Sequence, residues 1–477
     1  MNVVLWDTRR NHAQKDFAGG MGVGMPSGAG GLRGKIIRQL YLRDYRPTPL
    51  NFAYLVAVIK KLGHKPIYVL DENPPTADVY IFNPSLLTLD IELQTIRRLS
   101  SQNPNAKILI VGQVAYALHE ALTETAQDLK VTIVKGEPEQ LLYRWDEVLN
   151  SSETVVDIGS VEDLNSLPIP DWSQFAYSRF RINYDFWKFP TAFIQQSRGC
   201  TFKCNYCPYI SVESKTRFRD PEAVVDEMRF GMERYGFKSF KFRDPLFGLN
   251  RKKALELAER IRQLPRRVQF SIETRVDLMR EETLVALRDA GLTSITIGIE
   301  TPDEETLKKY SRVAINDDRQ RDFVALCRRL GVRTVAGFMV GFPADTRQSI
   351  LSVLNYARAV NPTYANFNIV TPYPGTDFYD EVKSQIADHD FSKYSVYQPV
   401  MKYQNLTARE VSELHGKCFG KFYFRTRYLK DNAMLLWPQL RQLRRFLPGR
   451  TSNTAVVGES QAKPTKVACV GDADATT

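Results

Sequence analysis

Histidine and cysteine are scarce in this chain, five and six residues among 477. That scarcity excludes a disulfide-stapled scaffold and a histidine-rich metal protein, because neither could find enough ligands. Long apolar runs are missing as well. No window reaches the ~18 consecutive apolar residues that a bilayer span needs. The start "MNVVLWDTRRNHAQ" shows no basic stretch leading into an apolar one, so secretion and membrane spanning are not expected and a reducing, cytoplasmic setting is. Apolar residues as a whole are plentiful: at 43% of the chain they can fill more than one core, and the length suits two or three domains. The net charge of +11 is partly local, since residues 421–450 hold eight Lys or Arg against one Asp.

Residues 1–155 alternate β-rich runs with helical patterns: "MNVVLWDT", "KPIYVLD", "ADVYIFNP", "KILIVG" and "KVTIVKG" read as strands. "PLNFAYLVAVIKKLGH" (49–64), "IELQTIRRLSSQNP" and "AYALHEALTET" read as helices between them. The rhythm predicts an α/β, doubly wound, Rossmann-like domain whose ligands bind at the carboxyl ends of the strands. The glycine-rich run at 19–34 matches neither a dinucleotide fingerprint nor a phosphate loop, and is either a mobile loop or one that closes over a cofactor. A connector over 156–190 centres on "LPIPDW". Six further βα units over 191–395 predict a partial (β/α)6 barrel. Residues 396–450 read as a helical, basic region and 451–477 as a disordered tail, which sets Cys469 aside as a ligand.

Three of the six cysteines fall within "SRGCTFKCNYCPY", at Cys200, Cys204 and Cys207. The C-x3-C-x2-C spacing has no second pair to complete a four-cysteine site, and no histidine occurs between His119 and His389. Three thiolates can bind three irons of a 4Fe-4S cluster and leave the fourth iron open to a small ligand. Structural zinc with a fourth ligand from elsewhere is the competing reading.

The run "CTFKCNYC" resembles the signature of radical S-adenosylmethionine (SAM) enzymes, with Tyr206 as the aromatic residue before the last cysteine. Downstream, "FRDPLF", "IETRVD", "ITIGIETPDEETLKKYSR", "GFMVGFPADT" and "TPYPGT" are similar to strand-end motifs of the subgroup that carries a cobalamin-binding domain before the radical domain. The resemblance implies that the open iron chelates SAM, whose cleavage gives a 5'-deoxyadenosyl radical, and that an external donor such as flavodoxin or ferredoxin supplies the electron. It also implies cobalamin as methyl carrier, hence C-methylation of an unactivated carbon. Cyclisation, ring contraction or another rearrangement is the alternative within the subgroup, and a non-catalytic cluster-bearing scaffold the alternative outside it. A methylthio-transferring relative would carry clustered cysteines before Cys200, and none occur. The Asp-x-His-x-x-Gly cobalamin motif is also missing, so the cobalamin expectation rests on domain order, the 49–64 helix and "KILIVGQ", whose Gly112 could pass close to the nucleotide tail.

Read as residues, Asp244, Glu273, Arg275 and Glu300 fall at strand ends that would face the barrel mouth. Glu273 or Glu300 suits ribose hydroxyls or an ammonium and Arg275 a carboxylate, with buried structural ion pairs as the other reading. Gly298, Gly337 and Gly341 allow close backbone approach to adenine or methionine, or simply tight packing. The basic, aromatic stretch 421–450 fits internal packing with arginines at the rim, or peripheral contact with an anionic membrane; nucleic acid is not expected without a recognisable binding module. A small-molecule or lipid-like substrate follows from these readings.

Overall fold

The computed structural model describes residues 1–8, 13–15, 20–24, 46–47, 49–125, 129–182, 184–209 and 215–433. Six parallel strands form the first sheet: β1 (Asn2–Asp7), β2 (Lys65–Leu70), β3 (Val79–Phe82), β4 (Lys107–Ile110), β5 (Val131–Gly136) and β6 (Val155–Gly159). Their order is β2-β1-β3-β4-β5-β6, so the winding reverses between β1 and β3. In sheets of this kind the crevice at that reversal, outside the carboxyl ends, is where ligands bind. The interior strand β3 is buried along its whole length, as expected when helices cover both faces. The helix Leu50–Lys61 buries Leu50 and Phe52 through Ile59, and lysines in its last turn suit the negative end of its dipole.

Two local readings change. Strand β6 lies inside the stretch read as a connector: only alternate residues of "VVDIG" are buried, so its sequence carries a weak strand signal, yet it pairs with β5 as the edge of the sheet. The helix expected over 115–125 is two helices, Gln113–Ala117 and His119–Thr125, with Leu118 out of helical geometry at the break. There the His119 ring lies 2.9 Å from the carbonyl oxygen of Tyr116. The connector that remains is a set of aromatic contacts. Phe175 packs on Tyr68 of β2 at 4.4 Å between ring centres, and Trp172 packs on Phe237, next to the second sheet, at 5.9 Å.

The second sheet contains β7 (Thr191–Ile194), β8 (Ser239–Phe242), β9 (Gln269–Thr274), β10 (Leu292–Glu300), β11 (Arg333–Val340) and β12 (Tyr364–Ile369), all parallel and adjacent in chain order. This is the partial barrel expected from six βα units. The returning helices start and stop where local chemistry says they should. Pro221 occupies the first turn of Pro221–Tyr235 and Gly236 ends it at φ 69°. Thr346 and Ser349 make a reciprocal cap at the start of Arg347–Val360. Both sheets belong to one unit, Met1–Asp431.

Helices Ala408–Tyr423 and Thr426–Asp431 back the last strand, where the Tyr423 hydroxyl donates to the Ala365 carbonyl and that of Tyr428 to Thr363. The described start of the basic stretch therefore packs internally; residues 434–450, and the tail 451–477, lie outside the described residues. Of the glycine-rich run only 20–24 is described, and it is held at both ends: Met21 accepts from the Leu86 amide, Gly22 from the Tyr373 hydroxyl, and Gly24 donates to Ser395. Among the described residues no helix is long and apolar enough to cross a membrane.

Candidate active site

The cysteine run leaves β7 through a two-residue strand, Ser197–Arg198, paired antiparallel with Arg217–Phe218. Asp244, just past β8, holds this exit: its carboxylate accepts from the Ser197 hydroxyl at 2.6 Å and from the Gln196 amide at 3.1 Å. Burial pushes the Asp244 carboxyl up to about 6, opposed by those hydrogen bonds. Asp244 was expected to face the barrel mouth. It is instead fully buried and committed to the backbone that leads into Cys200.

Cys200, Cys204 and Cys207 line one cavity of about 210 Å³ with Glu273, Arg275, Gly298, Glu300 and Arg312. Burial raises the Cys200 thiol and pushes Cys207 up to about 12, as expected for sulfurs facing little water and no bound cation. Among the described residues no three His, Cys, Asp or Glu side chains converge on a point where one metal ion could sit. A polynuclear cluster, which gives each thiolate a different iron, does not need such convergence.

The charged wall opposite the thiols is tightly paired. Arg312 brings one nitrogen to 3.9 Å from the Cys204 sulfur and donates with the other to the Gly298 carbonyl at 2.8 Å, while pairing with Glu300 at 3.2 Å. Burial raises the Glu300 carboxyl, against the pull of Arg312 and Arg275. Glu300 itself sits at φ 68°, an uncommon conformation for a residue with a side chain, where the β10–β11 register shifts. A Cβ on Gly298 would come within 2.4 Å of the Glu300 carboxylate and 2.9 Å of Arg312. Arg275 forks onto Asp277 with two bonds of 2.9 Å and stacks on the Phe202 ring at 4.3 Å. Its remaining terminal nitrogen, Nη1, is buried with no hydrogen-bond partner among the described residues. An unpaired guanidinium N–H of this kind is costly to bury and suits an arriving carboxylate.

Not every expected residue reaches the cavity. Glu273 lines it but is held by Arg243 and by Lys241 at 3.4 Å. Tyr206 is not among the cavity-lining residues; its ring packs edge-on against Phe342. Gly337 is mid-strand, beside Gly298 and Asn366. Gly341, at φ 79°, donates to the Asp345 carboxylate, and a Cβ there would press on Ile369 and Val411, so its demand is packing. Gly112 belongs to the other sheet: at φ 87° it follows β4, and a Cβ would lie 2.1 Å from the Asn83 amide oxygen. Beside it, the Lys15 ammonium bridges Asp7 at the end of β1 (2.9 Å) and buried Glu92. Arg312 was not anticipated. It closes the "ITIGIETPDEETLKKYSR" motif, but nothing in that run says that its end folds back onto Cys204.

A model of the Radical SAM superfamily matches residues 194–357, the stretch that holds the thiols and strands β8 to β11 of the barrel. That stretch is similar to a radical SAM domain. Among curated relatives of this chain is an uncharacterized methyltransferase of Pyrococcus horikoshii, 26% identical over 56% of this chain and 58% of the relative. The anaerobic magnesium-protoporphyrin IX monomethyl ester cyclase of Cereibacter sphaeroides is also 26% identical, over 79% of this chain and 67% of its own. The chain thus spans little more than half to two thirds of these relatives. Among solved structures, the radical SAM methyltransferase TsrM of Kitasatospora setae, with cobalamin and a 4Fe-4S cluster bound, has a TM-score of 0.58 at 14% identity and covers 91% of this chain and 90% of that one. That likeness extends the shared fold to both sheets.

Proposed function

We propose that the protein is a cobalamin-dependent radical SAM C-methyltransferase acting on an unactivated carbon of a small-molecule or lipid-like substrate. The observation that carries this reading is a cavity lined by three thiols and by Arg275, whose buried Nη1 has no hydrogen-bond partner among the described residues. When bound, the cluster and SAM supply a radical that abstracts hydrogen from carbon, and cobalamin supplies the methyl group. Cys200, Cys204 and Cys207 would hold the cluster, Arg275 the carboxylate of SAM, and Glu300 with the Gly298 backbone its ammonium or ribose. Arg312 balances the charge of Glu300 and, beside Cys204, that of a thiolate.

The carboxyl edge of the first sheet fits cobalamin in kind: glycine backbone at Gly112 and the amide side chains of Asn83 and Gln113 suit a ligand rimmed by neutral amides. Of the histidines described in this region, His64 packs on Trp145 and His119 bonds within its own turn, so neither would hold cobalamin. Phe202 and Leu246 exclude water from the cavity wall. A flavodoxin- or ferredoxin-like electron donor, a cytoplasmic setting and peripheral membrane contact through 421–450 belong to the same proposal. Ring formation without net methylation is the second reading, favoured by the similarity to the cyclase over 79% of the chain.

Anaerobic reconstitution followed by mass spectrometry tests the proposal. The wild type should retain cobalamin and release 5'-deoxyadenosine under reductant, and Cys204→Ala should release none. Wild-type protein that forms no 5'-deoxyadenosine would sink the radical reading. Protein that takes up no cobalamin would remove methylation by this route, and a product lacking the labelled methyl group would favour the cyclase-like alternative.

A further inference from the structure

Four buried charges join the first sheet to the cysteine run. Arg198, two residues before Cys200, forks onto Glu139 at 2.7 and 3.2 Å and lies 3.5 Å from Glu137. Arg217, its neighbour across the two-residue ribbon, forks onto Glu137 at 2.6 and 2.9 Å. None of the four is more than 7% exposed. Burial alone would raise the Glu137 carboxyl, but Arg198 and Arg217 hold it below its usual range. The Val161 amide adds a bond to the same carboxylate, and Arg198 stacks over Tyr54 of the first domain. A third attachment lies at the far end of the run: Gln113 donates to the carbonyl of Pro208, directly after Cys207, at 3.0 Å.

Buried ion pairs of this kind add little net stability, because desolvating the charges offsets most of their attraction. What they do provide is a fixed geometry, and the anchor positions say what is being fixed. Glu137 immediately follows β5, and Gln113 follows β4 by way of Gly112, so both stand on the carboxyl edge where a ligand of this sheet binds. The cysteine run is thus gripped before its first cysteine, after its last, and across its returning strand, each time by that edge.

We infer that the carboxyl edge of the first sheet and the cysteine run are one coupled unit, in which Gln113 and Glu137 are positioning residues that link occupancy of the edge to the placement of the three thiols. The inference rests on the proposed binding of cobalamin and a cluster. Coupling is reciprocal, so each cofactor changes affinity for the other by the same factor.

The test is anaerobic titration of cobalamin into the full chain with and without its cluster, with the reduced cluster's electron paramagnetic resonance spectrum recorded alongside. In the wild type the two cobalamin dissociation constants should differ by about fivefold or more, the lower range for coupled sites. Gln113→Ala, which removes the bond to Pro208 and no charge, should bring that ratio toward one and abolish the spectral change on cobalamin addition. Glu137→Gln should act the same way, and Gln113→Ala keeps the test valid if that variant folds poorly. Lys215→Ala breaks an exposed ion pair next to the same ribbon and should leave the ratio unchanged. A wild type that binds both cofactors independently, or a Gln113→Ala ratio equal to that of the wild type, overturns the coupling. A wild type that binds neither cofactor overturns the proposed function along with it.

Discussion

The two sheets have six parallel strands each, and their carboxyl edges are built differently. The second sheet turns charged side chains inward at its mouth, where Glu300, Arg312 and Arg275 share a cavity with three thiols. The first sheet offers a glycine, amides and carboxylates already neutralised within the protein, Asp7 and Glu92 by Lys15 and Glu137 by two arginines, and spends part of that edge on gripping its neighbour. One edge is arranged around charge, as a sulfonium with an ammonium and a carboxylate would require. The other is arranged around shape, as a large and mostly neutral ligand would require. The contrast explains why the second sheet announces itself in sequence motifs and the first does not.

Breaking the charged edge should have the larger effect. Arg312→Gln leaves Glu300 without its cation in a site where each side chain is no more than 14% exposed. Removing one partner of a buried pair costs about 3–5 kcal/mol, and the residual exposure argues for the lower end. Urea unfolding should show that loss, and adding Glu300→Gln should recover much of it, since no charge is then stranded. Retention of SAM should not recover in the double variant. If it does, the pair is scaffolding and Arg312 has no part in holding the ligand.

Breaking the shaped edge should cost less. Gly112→Ala forces a side chain onto a backbone at φ 87° and against Asn83, a strain of about 1–3 kcal/mol. Calorimetry should register that loss, with weaker cobalamin retention and, in cobalamin-free protein, unchanged cluster content. Lost cluster content with normal stability would mean that the two edges cannot be perturbed separately, and would blur the contrast between them.

Much of this was legible in the residues. Strand runs such as "VYIF" and "TAFI" declare themselves by β-branched and aromatic content, and the three cysteines by spacing. Other features were not, for specific reasons. Strand β6 alternates buried and exposed residues at a sheet edge, so "VVDIG" reads as a connector. Asp244 reads as a mouth residue because it lies in a strand-end motif, and Gly337 and Gly341 read equally as close approach to a ligand or as tight packing, because rank along a strand does not say which way a residue faces. Arg198, Arg217, Glu137 and Gln113 are ordinary in sequence. The partners that join the two regions lie between 59 and 95 positions away, and such meetings exist only once the chain has folded.

The smallest effect should come from outside both edges, at the support behind the second sheet. His415, from the helix Ala408–Tyr423, is buried and donates its Nε2 proton to the Phe367 carbonyl of β12 at 2.8 Å. Burial pushes its pKa down to about 4, outweighing the opposing effect of that bond. In the unfolded chain a histidine takes up a proton near pH 6.5. Between these values the unfolded state binds more protons than the folded one, so stability is full above about pH 6.5 and falls as the pH drops toward 4. The slope cannot exceed about 1.4 kcal/mol per pH unit for one group, and between pH 6.5 and 5.5 the loss should be near 1 kcal/mol. Melting temperatures of the wild type and His415→Gln at pH 7.5 and 5.5 measure it, since the variant should lose this part of the acid sensitivity. The first sheet has no buried histidine among the described residues, so the acid-sensitive contribution belongs to the barrel. Equal acid sensitivity in the variant would mean that His415 does not set it.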